Sequence, residues 1–457
     1  MKNKWVAAGL SALASLLLVA CGSSGSDDKE TEYPEAYVQF YNGAASSAST
    51  YMRVVDGASL GFAAYGDATS LSTVESGETT LQFYRLDAAR NEVAIDEQKV
   101  NLAKGEKALM VFSDNQAQSE ISAHRFERKE LSSHFRLFVS SVISGNSQYD
   151  VYMAKAGEAF ADAHKIATLA YGNFEEVDYW DGTTDKPNFS LGSYQFYLSL
   201  PGQTEAVYSS AAVSFAYSTE YVLVLRASAG ANSGNIELDL VANSSSVTTY
   251  PDLDATAQMR VYNSLAAGLA LNTQIEGNNA SIEELIEAKQ LTGFSAVDFG
   301  NYQISAQSPQ DANLVINNHL VTLNQGESKT LVLYRNSSDK LSSMHFTESN
   351  LPQVHDHQVQ VVNLSPDYDD INVYFVRAGE TLDKAKYQIA AINFAKNKSI
   401  SLPTDSYEIM AVVSNDDGAQ IVLDRQQLDE FVSGANYIVT LENDATSVTG
   451  YAIRILK

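Results

Sequence analysis

Four clusters in the chain have the composition that binding or catalysis needs. His355-Asp356-His357 places two imidazoles at alternate positions, which share a face in an extended segment. Zn²⁺ takes three or four protein ligands, so that pair would need further donors, and a solvated linker is the simpler reading. Asp367-Tyr-Asp369-Asp370 and Asp416-Asp417-Gly418 offer the oxygens that Ca²⁺ gathers. Neither has the glycine and terminal glutamate of an EF-hand loop, and acidic turns look the same. Tyr179-Trp180-Asp181 opens an insertion running to about Asn188. Exposed aromatic rings stack on sugars or dock into partners because they bury much apolar area at small entropic cost. These three are the candidate partner-binding residues, set against the plainer expectation that Trp180 folds over a sheet edge. The chain has no nucleophile elbow, Ser-His-Asp pattern, phosphate loop or CxxC. Carboxylate pairs abound in so acidic a sequence, and none can be singled out for glycosidic work. The expectation is a non-enzyme with no catalytic residue, no resident metal and no cofactor.

One further reactive side chain stands alone. Cys21 follows Lys2, Lys4 and an apolar run from Trp5 to Ala20 broken only by Ser11 and Ser15. A charged start and a short apolar run describe a secretory signal, and the run falls short of the ~20 residues that span a bilayer. Leu18-Val19-Ala20-Cys21 resembles the lipobox of bacterial lipoproteins. The resemblance implies cleavage before Cys21, a diacylglyceryl thioether on its sulfur and an acylated new N-terminus. Several acyl chains at ~0.8 kcal/mol per buried CH₂ make such an anchor permanent in practice. Gly22 stands where that family would carry an aspartate for inner-membrane retention, so the outer membrane is the expected address. As the only cysteine, Cys21 leaves no internal disulfide.

The 457 residues include 56 acidic and 30 basic ones, and losing Lys2 and Lys4 with the signal takes the formal net charge from −26 to −28. Such a field repels phosphate backbones and anionic head groups, which excludes nucleic acid as a partner.

The elements that position these residues come in copies. Tyr37-Val-Gln-Phe-Tyr-Asn42, Phe135-Arg-Leu-Phe-Val-Ser140, Met259-Arg-Val-Tyr-Asn263 and Val359-Gln-Val-Val-Asn363 are one phrase repeated at spacings of 98, 124 and 100 residues. A second phrase follows in the same order, with starts at Gly77, Gly192, Gly300 and Asp405; Tyr194, Phe196, Leu198 and Leu200 alternate with polar residues, as a half-buried strand does. The starts call for a tight turn, which glycine permits and aspartate tolerates. A third phrase carries an apolar run in each copy, such as Ala108-Leu-Met-Val-Phe112 and Tyr221-Val-Leu-Val-Leu225, suited to a central strand. Copies two and four also share Asp150-Val-Tyr-Met-Ala-Lys-Ala-Gly-Glu158 and Asn372-Val-Tyr-Phe-Val-Arg-Ala-Gly-Glu380. Many short strands and close turn signals predict an all-β fold of tandem immunoglobulin-like, Greek-key β-sandwich modules. One short helix is expected where Ser281-Ile-Glu-Glu284 forms a capping box before Leu285-Ile286. The predicted division is 1–20 signal peptide, 21–35 flexible tether, then modules at 36–127, 128–250, 251–350 and 351–457.

The order Val-Tyr, Ala-Gly, Leu169-Ala-Tyr-Gly172 or Ala63-Ala-Tyr-Gly66, Gly-x-Tyr-Gln-Phe and Gly-x-x-Tyr resembles the bacterial domain of unknown function 4397. The resemblance covers nearly all of 36–457, firmly in copies two and four and more loosely in one and three. It implies tandem sandwich domains on exported, lipid-anchored proteins and brings no established catalytic or binding residues. The functional expectation is a lipid-anchored envelope protein, a rod of four modules binding or adhering to a glycan or an envelope protein. A structural spacer is the alternative, and a hydrolase a more distant one.

Overall fold

The computed structural model describes residues 35–457 apart from 116–117, 179–188, 279, 416 and 429. Cys21, the signal, nearly all of the tether, and Tyr179, Trp180 and Asp181 lie outside the described residues.

The third repeated phrase explains the architecture. In the first unit, eight strands run β1 Glu35–Asn42, β2 Thr50–Val54, β3 Ser59–Ala63, β4 Ser72–Glu75, β5 Gly77–Leu86, β6 Glu92–Leu102, β7 Glu106–Asn115 and β8 Gln118–Glu127. They form two four-stranded sheets of order β4-β1-β7-β8 and β3-β2-β5-β6. β1 and β7 pair in parallel and their neighbours are antiparallel. Third and fourth units repeat this order strand for strand, and the second does so with extra short strands. The partners of the β1–β7 pair are His134–Ser141 with Glu220–Ala227, Ala257–Asn263 with Ser328–Arg335, and Asp356–Asn363 with Tyr437–Asn443. All-β sandwich modules are therefore the fold.

A sheet with one wet face alternates, whereas a sheet buried on both faces reads as a continuous apolar run. Gly300–Gln307, in an outer sheet, alternates between buried and exposed positions, but β7 and Glu220–Ala227 are buried almost throughout. One face of each such strand fills its own sandwich. The other meets the next unit. Tyr41, Leu109, Val111 and Phe126 pack on Phe138, Val222, Val224 and Val241; Tyr262, Val332 and Phe346 pack on Val362, Leu364 and Ile438. Units one and two thus make a four-layer pair, and units three and four make another.

Each interface has a buried polar lock at the same place. Tyr41 Oη donates to Asp239 Oδ2 at 2.7 Å, and Arg226 Nε meets the same carboxylate at 2.5 Å. Burial, with the Asp239 charge behind it, pushes the Tyr41 phenol far above its ordinary value. Tyr262 Oη donates to Glu442 Oε1 at 2.7 Å, and Lys289 and Arg454 neutralise that carboxylate.

The two pairs lie side by side. Ala231 N–H donates to Ser349 O at 3.1 Å and Asn232 Nδ2 to Gly326 O at 3.0 Å, joining units two and three. Ser49 N–H reaches Asp356 Oδ2 at 3.4 Å and Tyr387 Oη reaches Ala88 O at 3.2 Å, joining units one and four. A straight rod, expected from four similar modules, is excluded by that last contact: the apolar face left on each inner sheet makes neighbours pack broadside.

The repeated phrases also hold conserved local wiring. Asn42, Asn263 and Asn363 end their strands fully buried. Each amide donates to two carbonyls, those of Ala48 and Ala63, Leu269 and Ile286, or Tyr368 and Ile392. Each side-chain oxygen accepts the N–H two residues on. In the second phrase Tyr194, Tyr302 and Tyr407 each donate to the carbonyl four residues back, at 2.6–2.7 Å; Thr79 stands there in unit one. Gly77, Gly192 and Gly300 have positive φ as the turn requires. Asp405 does not, so the fourth copy enters its strand through a bend that needs no left-handed residue.

The predicted helix is absent. Ser281–Glu284 lies within strand Ala280–Ile286, paired residue for residue with Leu271–Gly277. A capping box satisfies two backbone N–H groups at a helix start, but here pairing along the full length of the hairpin wins. Among the described residues the helices are three single 3₁₀ turns, and none is long and apolar enough to cross a membrane.

Candidate functional site

The predicted clusters within the described residues fall in different places, and Tyr179, Trp180, Asp181 and Asp416 lie outside those residues. His357 is a core residue: it is fully buried, stacks on Phe431 with centroids 4.2 Å apart, and its Nε2 lies 3.0 Å from Thr404 Oγ1. Burial lowers its pKa to about 4. Asp356 sits at the junction with unit one, where burial raises its carboxyl above the ordinary value. Being adjacent in a strand, the two point to opposite faces. Asp367 accepts from Asn443 Nδ2 at 2.8 Å and Tyr451 Oη at 3.1 Å, and Asp369 from Phe394 N–H at 3.0 Å. These carboxylates tie turns and the last strand together. Among the described residues no three His, Cys, Asp or Glu side chains converge as metal ligands. Strands Phe174–Glu176 and Phe189–Ser190 flank the insertion that holds Tyr179, Trp180 and Asp181.

An aromatic surface that the sequence reading missed lies on the outer sheet of unit one. Met52 points into the sandwich, so its strand neighbours Tyr51 and Arg53 point out. The register sets Tyr51 directly opposite Phe62 on β3 and Tyr84 on β5, so three rings form one row across three strands. Tyr51 and Tyr84 stack with centroids 5.2 Å apart at 17°, and Tyr51 and Phe62 lie 5.1 Å apart. Phe62 is 55% exposed. The far end is fixed by Arg53, whose guanidinium lies 4.6 Å from the Tyr84 ring centre and grips Glu92 through two bonds of 2.8–2.9 Å.

The row runs into a cleft of about 350 Å³ between units one and four, lined by Tyr51, Asp87, Arg90, Asp356 and Tyr387 among others. Asn91 donates to Asp87 through its backbone and its side chain, which holds that carboxyl below its ordinary value. Ionised Asp87, the Arg90 guanidinium and the Tyr387 ring thus stand beside the aromatic row. This is an apolar platform with polar groups at its margin, the pattern of many small-ligand sites.

The same outward position behaves differently elsewhere. In unit two Tyr152 faces Tyr197, but Phe160 covers both rings at 4.9 and 5.5 Å, and Tyr197 Oη is spent on Glu158 O. In unit four Tyr374 faces Met410. Tyr84 and Tyr197 are both buried; what sets unit one apart is Phe62, exposed beside Tyr51. The shared Tyr-Met of 51–52 and 152–153 was the sequence signal; the exposed Phe62 beside one copy was not readable from it.

Residues 257–374 match the family described as a domain of unknown function (DUF4397). That span runs from the first strand of the third unit into the second strand of the fourth. No curated protein matches the chain. Among solved structures, the Bacillus anthracis TIE protein aligns over 92% of this chain and 75% of its own at 9% identity and a TM-score of 0.16. BcpA, the major pilin subunit of Bacillus cereus, aligns over 89% and 98% at 9% identity and a TM-score of 0.14. A leucine-rich repeat protein from Bacteroides thetaiotaomicron aligns over 41% and 25% at 9% identity and a TM-score of 0.13.

Proposed function

We propose that the chain is an exported protein, lipid-anchored through Cys21 on the outer membrane, whose β-sandwich modules bind a saccharide without catalysis. The aromatic row Tyr51–Phe62–Tyr84, open to solvent at Phe62 and half-buried at Tyr51, carries this reading. Ring faces bury the C–H faces of a pyranose, and Asp87, Arg90 and Tyr387 stand where a second sugar's hydroxyls would seek partners. A formal charge of −26 over the whole chain makes an anionic glycan unfavourable and a neutral one the fitting ligand. The Tyr179-Trp180-Asp181 insertion remains a second proposed contact.

A spacer is the weaker reading. A spacer needs reach, and the contact of unit one with unit four gives most of that reach up.

Glycan-array binding by the purified chain tests the proposal: neutral glycans bind, and Phe62→Ala and Tyr51→Ala each weaken binding at least about tenfold, a loss of ~1.4 kcal/mol or more. Silence across neutral glycans would overturn the saccharide. Radiolabelled fatty acid tests the anchor; incorporation that survives Cys21→Ala would overturn that part.

A further inference from the structure

Lys107 is 1% exposed although it is a lysine. It lies on β7 at the face buried against unit two, with its Nζ 5.6 Å from the Phe126 ring centre. Its hydrogen-bond acceptor there is Asn243 Oδ1, at 2.8 Å. Asn243 follows the unit-two strand Ile236–Val241 and is clamped by unit one from both sides. Gln39 Nε2 donates to Ala242 O at 2.7 Å and to Ser244 O at 3.2 Å, and Leu71 N–H donates to Asn243 O at 3.3 Å. These bonds fix the backbone of Asn243 beside Lys107. Its Nδ2 donates to Glu220 Oε1 at 3.0 Å and to Thr219 Oγ1 at 2.8 Å. Arg128 Nε holds the same Glu220 oxygen at 2.7 Å.

The Asn243 carboxamide thus bridges a buried amine and a buried carboxylate, the three groups that an amide exchange needs. We propose that Lys107 and Asn243 condense into an intramolecular amide that welds unit one to unit two, with Glu220 carrying the proton. Rotation about the last side-chain bonds moves Nζ from Oδ1 to Cγ of the same group. The neutral amine adds to Cγ, forming the C–N bond and placing negative charge on Oδ1. Bond formation brings Nζ beside Nδ2, where Glu220 Oε1 already lies, and Glu220 takes one proton from Nζ and delivers it to Nδ2. The oxyanion collapses, the Cγ–Nδ2 bond breaks, and ammonia leaves. Lysine amine plus asparagine carboxamide has become one secondary amide plus ammonia; nothing is oxidised or reduced, and Glu220 is regenerated.

The surroundings favour each role. Burial lowers the Lys107 pKa to about 8, so free amine is present near neutral pH. Burial works against the charge of Glu220, but Lys107 and Arg128 outweigh it and keep the carboxyl below its ordinary value, ready to accept a proton. Fixed contact replaces the entropy of a bimolecular encounter. The site is specific to this interface. The register that sets Lys107 opposite Tyr37 sets Glu220 opposite Arg136 and Ser328 opposite Gln258, so unit three has serine where unit one has the amine.

Peptide mass spectrometry on the purified full chain tests the proposal. The expected product is one branched tryptic peptide joining the Lys107 and Asn243 segments, lighter than their sum by one ammonia and uncleaved after Lys107. Lys107→Met and Asn243→Ala abolish it, and Glu220→Gln abolishes or greatly slows it, in chains whose far-UV circular dichroism matches wild type. Complete cleavage after Lys107 with an intact Asn243 peptide in the folded wild-type chain would overturn the proposal, whatever the variants do.

Discussion

Replacing Asn363 by alanine isolates the buried corner that recurs in three of the four units. The amide donates to Tyr368 O at 2.8 Å and Ile392 O at 3.1 Å, and its oxygen accepts Ser365 N–H at 3.0 Å. A buried hydrogen bond contributes about 1 kcal/mol net, and a group left without one costs about as much again or more. Three bonds with partial rescue by water come to ~3 kcal/mol, or about two orders of magnitude in the opening equilibrium. A four-unit chain does not melt in one step, so the assay is native-state hydrogen exchange read by strand. Slow amides in Ile371–Arg377 and Tyr407–Ser414 should exchange ~100-fold faster, while those of β5 and β7 in unit one stay within about threefold. Asn363→Asp keeps the acceptor for Ser365 but sets a carboxylate against two carbonyls, so it should do no better. Unchanged protection in unit four would refute the reasoning, because it would mean these bonds are replaced at no cost.

The remaining expectations concern charge, fit and contact. His357 titrates in the core at about 4 against an ordinary 6.5, so the unfolded chain takes up the proton first as pH falls. Its contribution is complete above pH 6.5 and is lost towards pH 4, by at most about 3 kcal/mol. His357→Phe should remove that slope from the pH dependence of unit-four stability measured by exchange. Tyr262→Phe deletes the donor to Glu442 while Lys289 and Arg454 remain, and should cost ~1–2 kcal/mol in the protection of Tyr437–Asn443. Gly66→Ala places a Cβ 2.9 Å from Arg226 Nη2 at a φ of +80°; calorimetry should show the first pair melting several degrees lower, for a loss of ~2 kcal/mol.

The fold was largely legible because its signals are periodic. Alternation in Tyr194–Leu200 and the unbroken run of Tyr221–Leu225 describe two kinds of strand, and four copies of each describe tandem sandwiches. What the runs also say, that a strand apolar on both sides must have neighbours on both sides, was not drawn from them, and a rod was expected instead. Ser281–Glu284 misled because a capping box is a local pattern, whereas its pairing with Leu271–Gly277 is not local. The site was less legible. His355 to His357 looked like ligands because composition is visible and burial is not. Tyr51, Phe62 and Tyr84 come together only through register, from three strands spread over thirty-four positions. Lys107, Glu220 and Asn243 come from two different units, and no single window of sequence contains them.

Broadside pairing also governs how such a chain can be inherited. Cutting the gene after one unit, or after three, would leave an inner sheet with Leu109 and Val111, or Tyr262 and Val332, facing water, a large sticky patch that invites aggregation or proteolysis. Duplication or loss of two units together leaves every such face covered. Recombination should therefore favour even numbers, with the pair rather than the single sandwich as the smallest piece that can be passed on intact.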